Sequence, residues 1–191
     1  MIKKSLLISG IVLLSACQSA KPAPPPIQLN AGVKDIMDSM IDPSGDYLFQ
    51  AVAEIGDENG VITQKAPKTD DDWKEVRNRA FVLFEGMNLL MMEGRKVAQP
   101  GDKSKFPEVE LEPEQIKKLI DDDPPGLYRR AKRLQDAASM VLAAADQRDT
   151  KALFTAIERV DQACENCHLH YWYPKDSRAL SEAKKNGLVI D

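Results

Sequence analysis

The sequence predicts an all-α protein whose main domain is an antiparallel up-down four-helix bundle. Four stretches of roughly 20 residues place apolar side chains three and four positions apart, which gives each helix one apolar face. No stretch shows the period-two alternation with β-branched residues that is typical of a strand. Apolar residues make up 43% of the 191-residue chain, enough for one sizeable core. Four amphipathic helices can bury their apolar faces against one another, and this arrangement is a bundle.

The first helical segment begins near Ala31 and keeps one apolar stripe as far as Ile55, with Pro43 in its middle. Proline lacks a backbone N–H, and its ring clashes with the preceding turn of a helix. Pro43 should therefore kink or split this segment near Asp42.

The next three helices have recognisable starts. Thr69 is a predicted N-cap for the second helix, which should end near Gly94. The third begins after Asp123, with two prolines in its first turn, where proline is tolerated. The fourth begins near Asp149 and continues to about Tyr171. Connections in bundles are usually short, so each helix should run antiparallel to the one before it.

Residues 97–123 form a long insertion between the second and third helices. The segment contains several prolines and a run of three aspartates, with one short helix predicted over residues 114–120. Loops of this length are uncommon in compact domains. We expect a solvated excursion.

The charge balance excludes some classes of function. There are 26 Lys and Arg residues against 30 Asp and Glu residues, for a formal net charge of −4. A dedicated nucleic-acid-binding protein needs a basic surface, so no nucleic-acid partner is expected. No constellation of general acid, general base and nucleophile is apparent, and we therefore expect that the protein is not an enzyme.

The N-terminal segment resembles a bacterial lipoprotein signal peptide over residues 1–16. Two lysines precede an apolar run that is too short to span a bilayer. Leu14, Ser15 and Ala16 then form a lipobox-like tripeptide before Cys17. The resemblance implies that Cys17 is lipidated and becomes the new N-terminus, which would anchor the protein to a membrane on the periplasmic side. By its resemblance to lipoprotein sorting signals, Gln18 after Cys17 implies the outer membrane.

A proline-rich tether follows over residues 17–30, before the bundle domain of residues 31–191. Four of the five residues from 22 to 26 are proline. Such a segment favours an extended polyproline conformation and would hold the domain away from the membrane.

The pentapeptide Cys164-Glu165-Asn166-Cys167-His168 is the C-x-x-C-H signature of covalent haem attachment. Two cysteines three residues apart lie on one face of a helix, where both thiols can add to the vinyl groups of one porphyrin. His168 can then present its imidazole to the iron as the proximal ligand. The motif predicts one covalently bound haem c.

Three other functions use a similar pair of cysteines. A redox-active disulfide usually lies at a helix N-terminus in a βαβ setting, whereas this motif lies near the end of a helix. A zinc site would need two more ligands, and His170 is the only other histidine. A structural disulfide between Cys164 and Cys167 within a helix is geometrically awkward.

The predicted bundle and the C-terminal position of the motif together resemble the class II cytochromes c, the cytochrome c prime family, over roughly residues 31–174. In that family a tyrosine often follows the haem histidine by three positions, and Tyr171 matches. The next position is usually basic, but here it is Trp172. The resemblance also allows a homodimer, because relatives are often dimers.

The resemblance implies two classes of function that differ in the sixth iron ligand. Members with a methionine from the first helix are six-coordinate electron carriers, and members without one bind nitric oxide or carbon monoxide. Met37 lies at about the same height in the bundle as His168 and is the predicted distal ligand, with Met40 as the second choice. We therefore expect a one-electron carrier that serves redox partner proteins. The alternatives are a five-coordinate gas-binding protein and a lipoprotein that needs haem only to fold.

Overall fold

The computed structural model describes residues 25–56, 60 and 62–189. The predicted signal peptide, Cys17 and the tether as far as residue 24 lie outside the described residues. The helices are α1 (Val33–Ile36), α2 (Asp42–Ala51), α3 (Asp70–Leu90), α4 (Pro113–Asp122), α5 (Pro124–Gln147), α6 (Thr150–Tyr171) and α7 (Ser177–Lys185). Two short strands, β1 (Ala53–Gly56) and β2 (Ile62–Lys65), lie between α2 and α3.

The first helical segment is continuous but irregular. A π-helical turn over Met37–Ile41 joins α1 to α2. Pro43 lies in the first turn of α2, where its missing N–H is compatible with the change in hydrogen bonding. The interruption expected near Asp42 is thus a π-helical turn immediately before the proline. Such turns inside α-helices often occur at functional sites.

The helix starts follow the predicted caps. The Thr69 hydroxyl accepts a hydrogen bond from the Asp72 amide at 3.1 Å, and the Asp72 carboxylate accepts one from the Thr69 amide at 2.9 Å. The predicted end of α3 near Gly94 is wrong by one turn, because the helix ends at Leu90. Beyond that end, the Arg95 guanidinium donates to the Leu89 carbonyl at 2.6 Å.

Side-chain contacts give the direction of the bundle helices. Arg77 in α3 pairs with Asp146 in α5 at 2.7 Å. Further along α3, Asn88 accepts a hydrogen bond at 2.7 Å from Gln135, which is earlier in α5. Rising numbers in α3 therefore meet falling numbers in α5, so the two helices are antiparallel. The structure confirms an all-α four-helix bundle, formed by the α1–α2 segment, α3, α5 and α6.

α3 packs closely against the π-helical turn at Gly86. A Cβ atom at this position would overlap the Cδ1 of Ile41, which is itself buried. Glycine thus allows the first helical segment to approach α3 more closely than any other residue would.

The antiparallel hairpin of β1 and β2 was not predicted. Ala53 pairs with Lys65, and Gly56 pairs with Ile62. Seven of its eight strand residues are exposed, so the hairpin has no apolar face and gives no period-two signal. The short helix α7 at the C-terminal end was also not predicted.

The insertion is not a solvated excursion. Its short helix was predicted and is α4, but residues 97–112 fold back against the end of the bundle. The Lys34 amide donates to the Val97 carbonyl at 2.8 Å, and the Leu111 amide donates to the Trp172 carbonyl at 2.7 Å. The insertion thus bridges the first helical segment and the end of α6. Within the described ranges, no helix is both long enough and apolar enough to cross a membrane.

Candidate functional site

A cavity of about 290 Å³ opens between the first helical segment, the insertion and the end of α6. Met37 lies on one wall, and Cys167 and His168 lie on another. Residues 103–105, Glu110 and Leu111 of the insertion also line it. A second cavity of about 20 Å³ shares several of these wall residues and extends inward toward Cys164. The volume of the larger cavity is close to the lower end of the range of ligand-binding cavities.

The three residues of the pentapeptide that carry chemistry meet at this cavity. Cys164, Cys167 and His168 all line its inner part, and Cys167 and His168 line both parts. Both cysteines are free thiols and do not form a disulfide with each other. The helical spacing of three residues therefore places both sulfurs on one wall, as the sequence predicts.

Burial dominates the electrostatics of the two thiols. The pKa of Cys164 is raised to about 12, mainly by burial and to a smaller extent by the neighbouring Cys167 and Asp161. Burial also raises the pKa of Cys167 to about 11, although the Arg130 charge acts in the opposite direction. Both sulfurs are therefore neutral at physiological pH. A neutral environment suits thioether sulfur, whereas a redox-active dithiol or a zinc site needs a stabilised thiolate.

His168 is neutral in the same environment. Its burial lowers the pKa of the imidazole to about 4, because the charged form is poorly solvated there. A neutral imidazole has a free nitrogen lone pair, which an iron ligand requires. Among the described residues, no group of three or more His, Cys, Asp or Glu side chains could hold a metal ion by itself.

The two residues between the cysteines stabilise the surrounding structure. The Glu165 carboxylate accepts a hydrogen bond from the Tyr173 hydroxyl at 2.7 Å. Asn166 is buried, accepts from Arg133 at 3.0 Å and donates to the Val189 carbonyl at 2.6 Å. These bonds connect α6 to α5 and to the C-terminal residues.

Aromatic rings surround the imidazole on the side of the helix end. The Trp172 ring meets the His168 ring edge to face, with centroids 5.1 Å apart and planes at 88°. The Tyr173 ring is tilted against His168, with centroids 5.8 Å apart. Tyr173 was not predicted to belong to the site. In the sequence, only its neighbour Trp172 departs from the pattern of the family that the chain resembles. Tyr171 is buried and packs in the core.

Methionines approach the cavity from two helices. Met37, the first residue of the π-helical turn, lines both parts of the cavity together with His168. Met40 packs against the core but lines neither part. Met87 of α3 lines the inner part and was not proposed as a ligand, because its place in an apolar helical stripe suggested core packing. The structure thus brings Met37 and His168 to one space and leaves Met40 outside it.

A buried positive charge borders the inner part of the cavity. Arg130 is 3% exposed, and only one of its guanidinium nitrogens has a hydrogen bond, to the Gly126 carbonyl at 3.2 Å. The guanidinium lies over the Tyr171 ring, 5.4 Å from its centroid. In the sequence, Arg130 belongs to a basic cluster in α5 that looks like a solvated helix face, so its burial was not expected.

Comparison with known families agrees with the site. Residues 92–172 match the family model of cytochrome C′. This range begins just after α3 and includes the insertion, α5 and α6 with the whole pentapeptide. This match supports a class II cytochrome of the cytochrome c prime type. Proteins of this family bind one covalent haem c, and they carry electrons or bind gases. Searches of curated proteins and of solved structures give no match.

The residues at the cavity fit a covalently bound haem. Two neutral thiols and a neutral imidazole lie on one wall, and a thioether faces the same space from another. Soft sulfur and imidazole donors are the protein ligands that haem iron takes in c-type cytochromes.

Proposed function

We propose that the protein is a monohaem c-type cytochrome that carries single electrons. Cys164 and Cys167 would hold the haem through thioether bonds, with His168 as the proximal iron ligand and Met37 as the distal one. A haem in this cavity would supply one-electron chemistry between ferric and ferrous iron. The observation that carries the proposal is the meeting of all four side chains at the small cavity of about 20 Å³, because three of them, Met37, Cys167 and His168, also line the larger cavity beside it.

The surroundings of these four residues suit an electron carrier. The thiols and the imidazole are half-buried, and residues of the insertion line part of the cavity beside them. Low polarity and limited exposure of the haem keep the reorganisation on electron transfer small and tune the potential. His168 and Met37 would hold the iron from two different helices.

The setting of the protein is part of the same proposal. Lipidation at Cys17 would anchor the chain, and residues 17–30 would act as a tether on the periplasmic side, with the outer membrane favoured. Redox partner proteins would reach the haem from that compartment, and a homodimer is compatible with this role. No enzymatic activity is proposed.

The visible spectrum of the purified full-length protein tests the proposal. A pyridine haemochrome assay should report one c-type haem per chain. The ferric protein should be low spin, with the weak charge-transfer band that a thioether-iron bond produces. A chain purified from cells able to attach c-type haem that shows no haem absorbance would contradict the whole assignment.

The same spectra distinguish the other function that the family includes. A high-spin ferric spectrum, together with a ferrous spectrum that shifts on adding carbon monoxide, would indicate an open distal side and a gas-binding protein. Absence of electron exchange with both soluble and quinol-linked donors, in a protein with normal haem content, would instead indicate a role of haem in folding alone.

A further inference from the structure

We infer that Arg130 places a buried, unpaired positive charge beside the haem site and thereby raises the redox potential of the iron. This inference rests on the proposed function, because it concerns the equilibrium of the electron that the haem would carry. Arg130 acts through its charge. It needs no bond to the iron.

Arg130 is buried although it belongs to a basic cluster on the surface of α5. It is 3% exposed, whereas Arg129 and Lys132 in the same cluster are exposed. Its position in the helix places it on the buried stripe that includes Leu127 and Leu134. Arginine is almost never fully buried unless its charge is paired. The fold therefore holds this charge among apolar side chains.

The guanidinium has more donors than partners. Its Nη1 donates to the Gly126 carbonyl at 3.2 Å, but Nε and Nη2 are buried and have no hydrogen-bond partner. Across residues 25–56, 60 and 62–189, no carboxylate forms an ion pair with Arg130. The nearby Asp123 carboxylate binds Arg129 at 3.2 Å and accepts from the Gly126 amide at 3.1 Å instead. An arginine side chain keeps its proton in proteins, so this charge stays unpaired.

A ring contact holds the guanidinium in place. It lies over the Tyr171 ring, 5.4 Å from the ring centroid, and tyrosine follows the haem-binding motif directly in α6. The negative face of an aromatic ring attracts a cation but does not cancel its charge. Arg130 is therefore fixed against the helix that carries the motif while its charge remains effective.

Arg130 borders the space where both predicted iron ligands meet. It lines the inner part of the cavity together with Met37, Cys167 and His168. Much of the remaining wall is apolar, including Leu90 and Leu134. Two charges interact more strongly in such surroundings than in water, and added salt screens them less.

The sign of the effect follows from charge repulsion. Oxidation of the iron adds one positive charge to the site, and the Arg130 charge repels it. The ferrous form is therefore favoured over the ferric form, and the redox potential is raised. An apolar side chain of similar size would serve packing better, because a buried unpaired charge lowers the free energy of unfolding. An effect on the iron gives this charge a role that packing does not.

Four single variants of the full haem-loaded chain test the inference. Arg130→Met and Arg130→Gln remove the charge but keep an unbranched side chain, and Arg130→Lys keeps the charge. Arg129→Gln is the matched control, because it removes the same charge from the exposed neighbouring position. The midpoint potential of each variant is measured by spectroelectrochemical titration at low and at high ionic strength.

The two uncharged variants should favour the oxidised form about tenfold more than the native protein does. For one electron this change corresponds to a fall of about 59 mV in the midpoint potential. The fall should persist at high ionic strength, because the charge is buried. Arg130→Lys and Arg129→Gln should stay within about twofold of the native equilibrium, and any change in Arg129→Gln should shrink as salt is added.

Three results would overturn the inference. The first is an unchanged potential in both uncharged variants. The second is a fall in Arg130→Lys as large as that in Arg130→Met, since the shape of the side chain and not its charge would then be the cause. The third is a fall accompanied by an altered visible spectrum in the uncharged variants, because a change of iron ligand would then explain the potential.

Stability and haem content are measured alongside the potential. Arg130→Met should unfold at the same urea concentration as the native protein or at a higher one, because it removes an unpaired buried charge. If Arg130→Met does not fold, Arg130→Gln carries the test, since its amide can still donate to the Gly126 carbonyl. A pyridine haemochrome assay reports haem attachment alone, and the potential can be measured with or without Met37 as a ligand. Failure of the haem assignment is therefore distinguishable from failure of this inference.

Discussion

The two walls of the cavity are built on different principles. The His168 wall belongs to α6, a regular helix of 22 residues with a capped start, and it lies inside the range that matches the family model. The Met37 wall is a π-helical turn between two helices and lies outside that range. Spacing along one regular helix fixes Cys164, Cys167 and His168 relative to one another. The position of Met37 depends instead on how the first helical segment packs against α3.

This difference indicates that covalent attachment and distal ligation can be separated experimentally. Changes on the His168 wall should affect whether haem is present at all. Changes on the Met37 wall should affect what the haem does while leaving it attached.

The largest effect is expected on the His168 wall. Replacing Cys164 and Cys167 with serine removes both sites of thioether formation, so covalent haem should be lost completely. Mass spectrometry of the denatured protein measures this directly. Cys17→Ser is the control, because it should abolish lipidation but leave the haem in place. Haem that remained covalently attached to the double variant would contradict the assignment.

The next effect concerns the Met37 wall. Met37→Ala should convert a low-spin ferric spectrum into a high-spin one and allow carbon monoxide to bind the ferrous form, because the thioether ligand is gone. The haem content should stay the same. Met40→Ala is the matched control, since Met40 lies one turn away and lines neither part of the cavity. If Met40→Ala gave the spectral change and Met37→Ala did not, the ligand assignment would be reversed.

A smaller effect tests the packing that positions the Met37 wall. Gly86→Ala should lower the free energy of unfolding by about 1 kcal/mol, because the added methyl overlaps Ile41 in a packed core. Urea denaturation followed by circular dichroism measures this change. Gly45→Ala is the control, since its methyl would meet its nearest neighbour, Phe49, at an ordinary 3.4 Å. That substitution should be neutral or slightly stabilising in a helix. Equal destabilisation by both would exclude a special role for the close approach.

The smallest effect is a pH dependence of the insertion, which lies beside the His168 wall. Burial raises the pKa of Glu110, but hydrogen bonds from Ser104, Phe106, Lys105 and Trp172 outweigh it, so the pKa lies below its ordinary value of 4.5. The carboxylate therefore stabilises the folded protein fully above the unfolded-state pKa, and this contribution is lost as pH falls through the folded-state pKa. Protection of residues 103–112 should decrease in that acidic range, after correction for intrinsic exchange rates. Glu110→Gln should remove this dependence, and Glu108→Gln should retain it.

Much of the bundle was predictable because its signals are local. Thr69 and Asp149 cap their helices through side chains only three residues from the amides that they bind. Pro124 and Pro125 begin α5 in the turn where proline fits. The hairpin of β1 and β2 was missed because its strands are short and exposed, so no apolar face repeats along them. The helical spacing of Cys164, Cys167 and His168 made one wall of the site predictable in the same way.

The insertion could not be predicted as part of the site, because its contacts are long-range. The Leu111 amide donates to the Trp172 carbonyl, more than 60 positions away, and nothing in the local sequence distinguishes the buried Glu110 from the exposed Glu108. The burial of Arg130 within a basic cluster has the same origin. In both cases the surroundings of a charged side chain are set by another segment of the chain.

The sequence by itself determined the four bundle helices, the caps that begin α3 and α6, and the arrangement of two thiols and an imidazole along α6, since each depends on interactions within a few residues. Only the tertiary structure decided that Met37 and not Met40 lines the cavity, and that residues 97–112 lie against the end of α6. The physical reason is that one π-helical turn changes which side chains of a helix face inward. The position of residues 97–112 depends likewise on hydrogen bonds to residues that are distant in the sequence. Both are properties of packed segments and leave no periodic pattern in the chain.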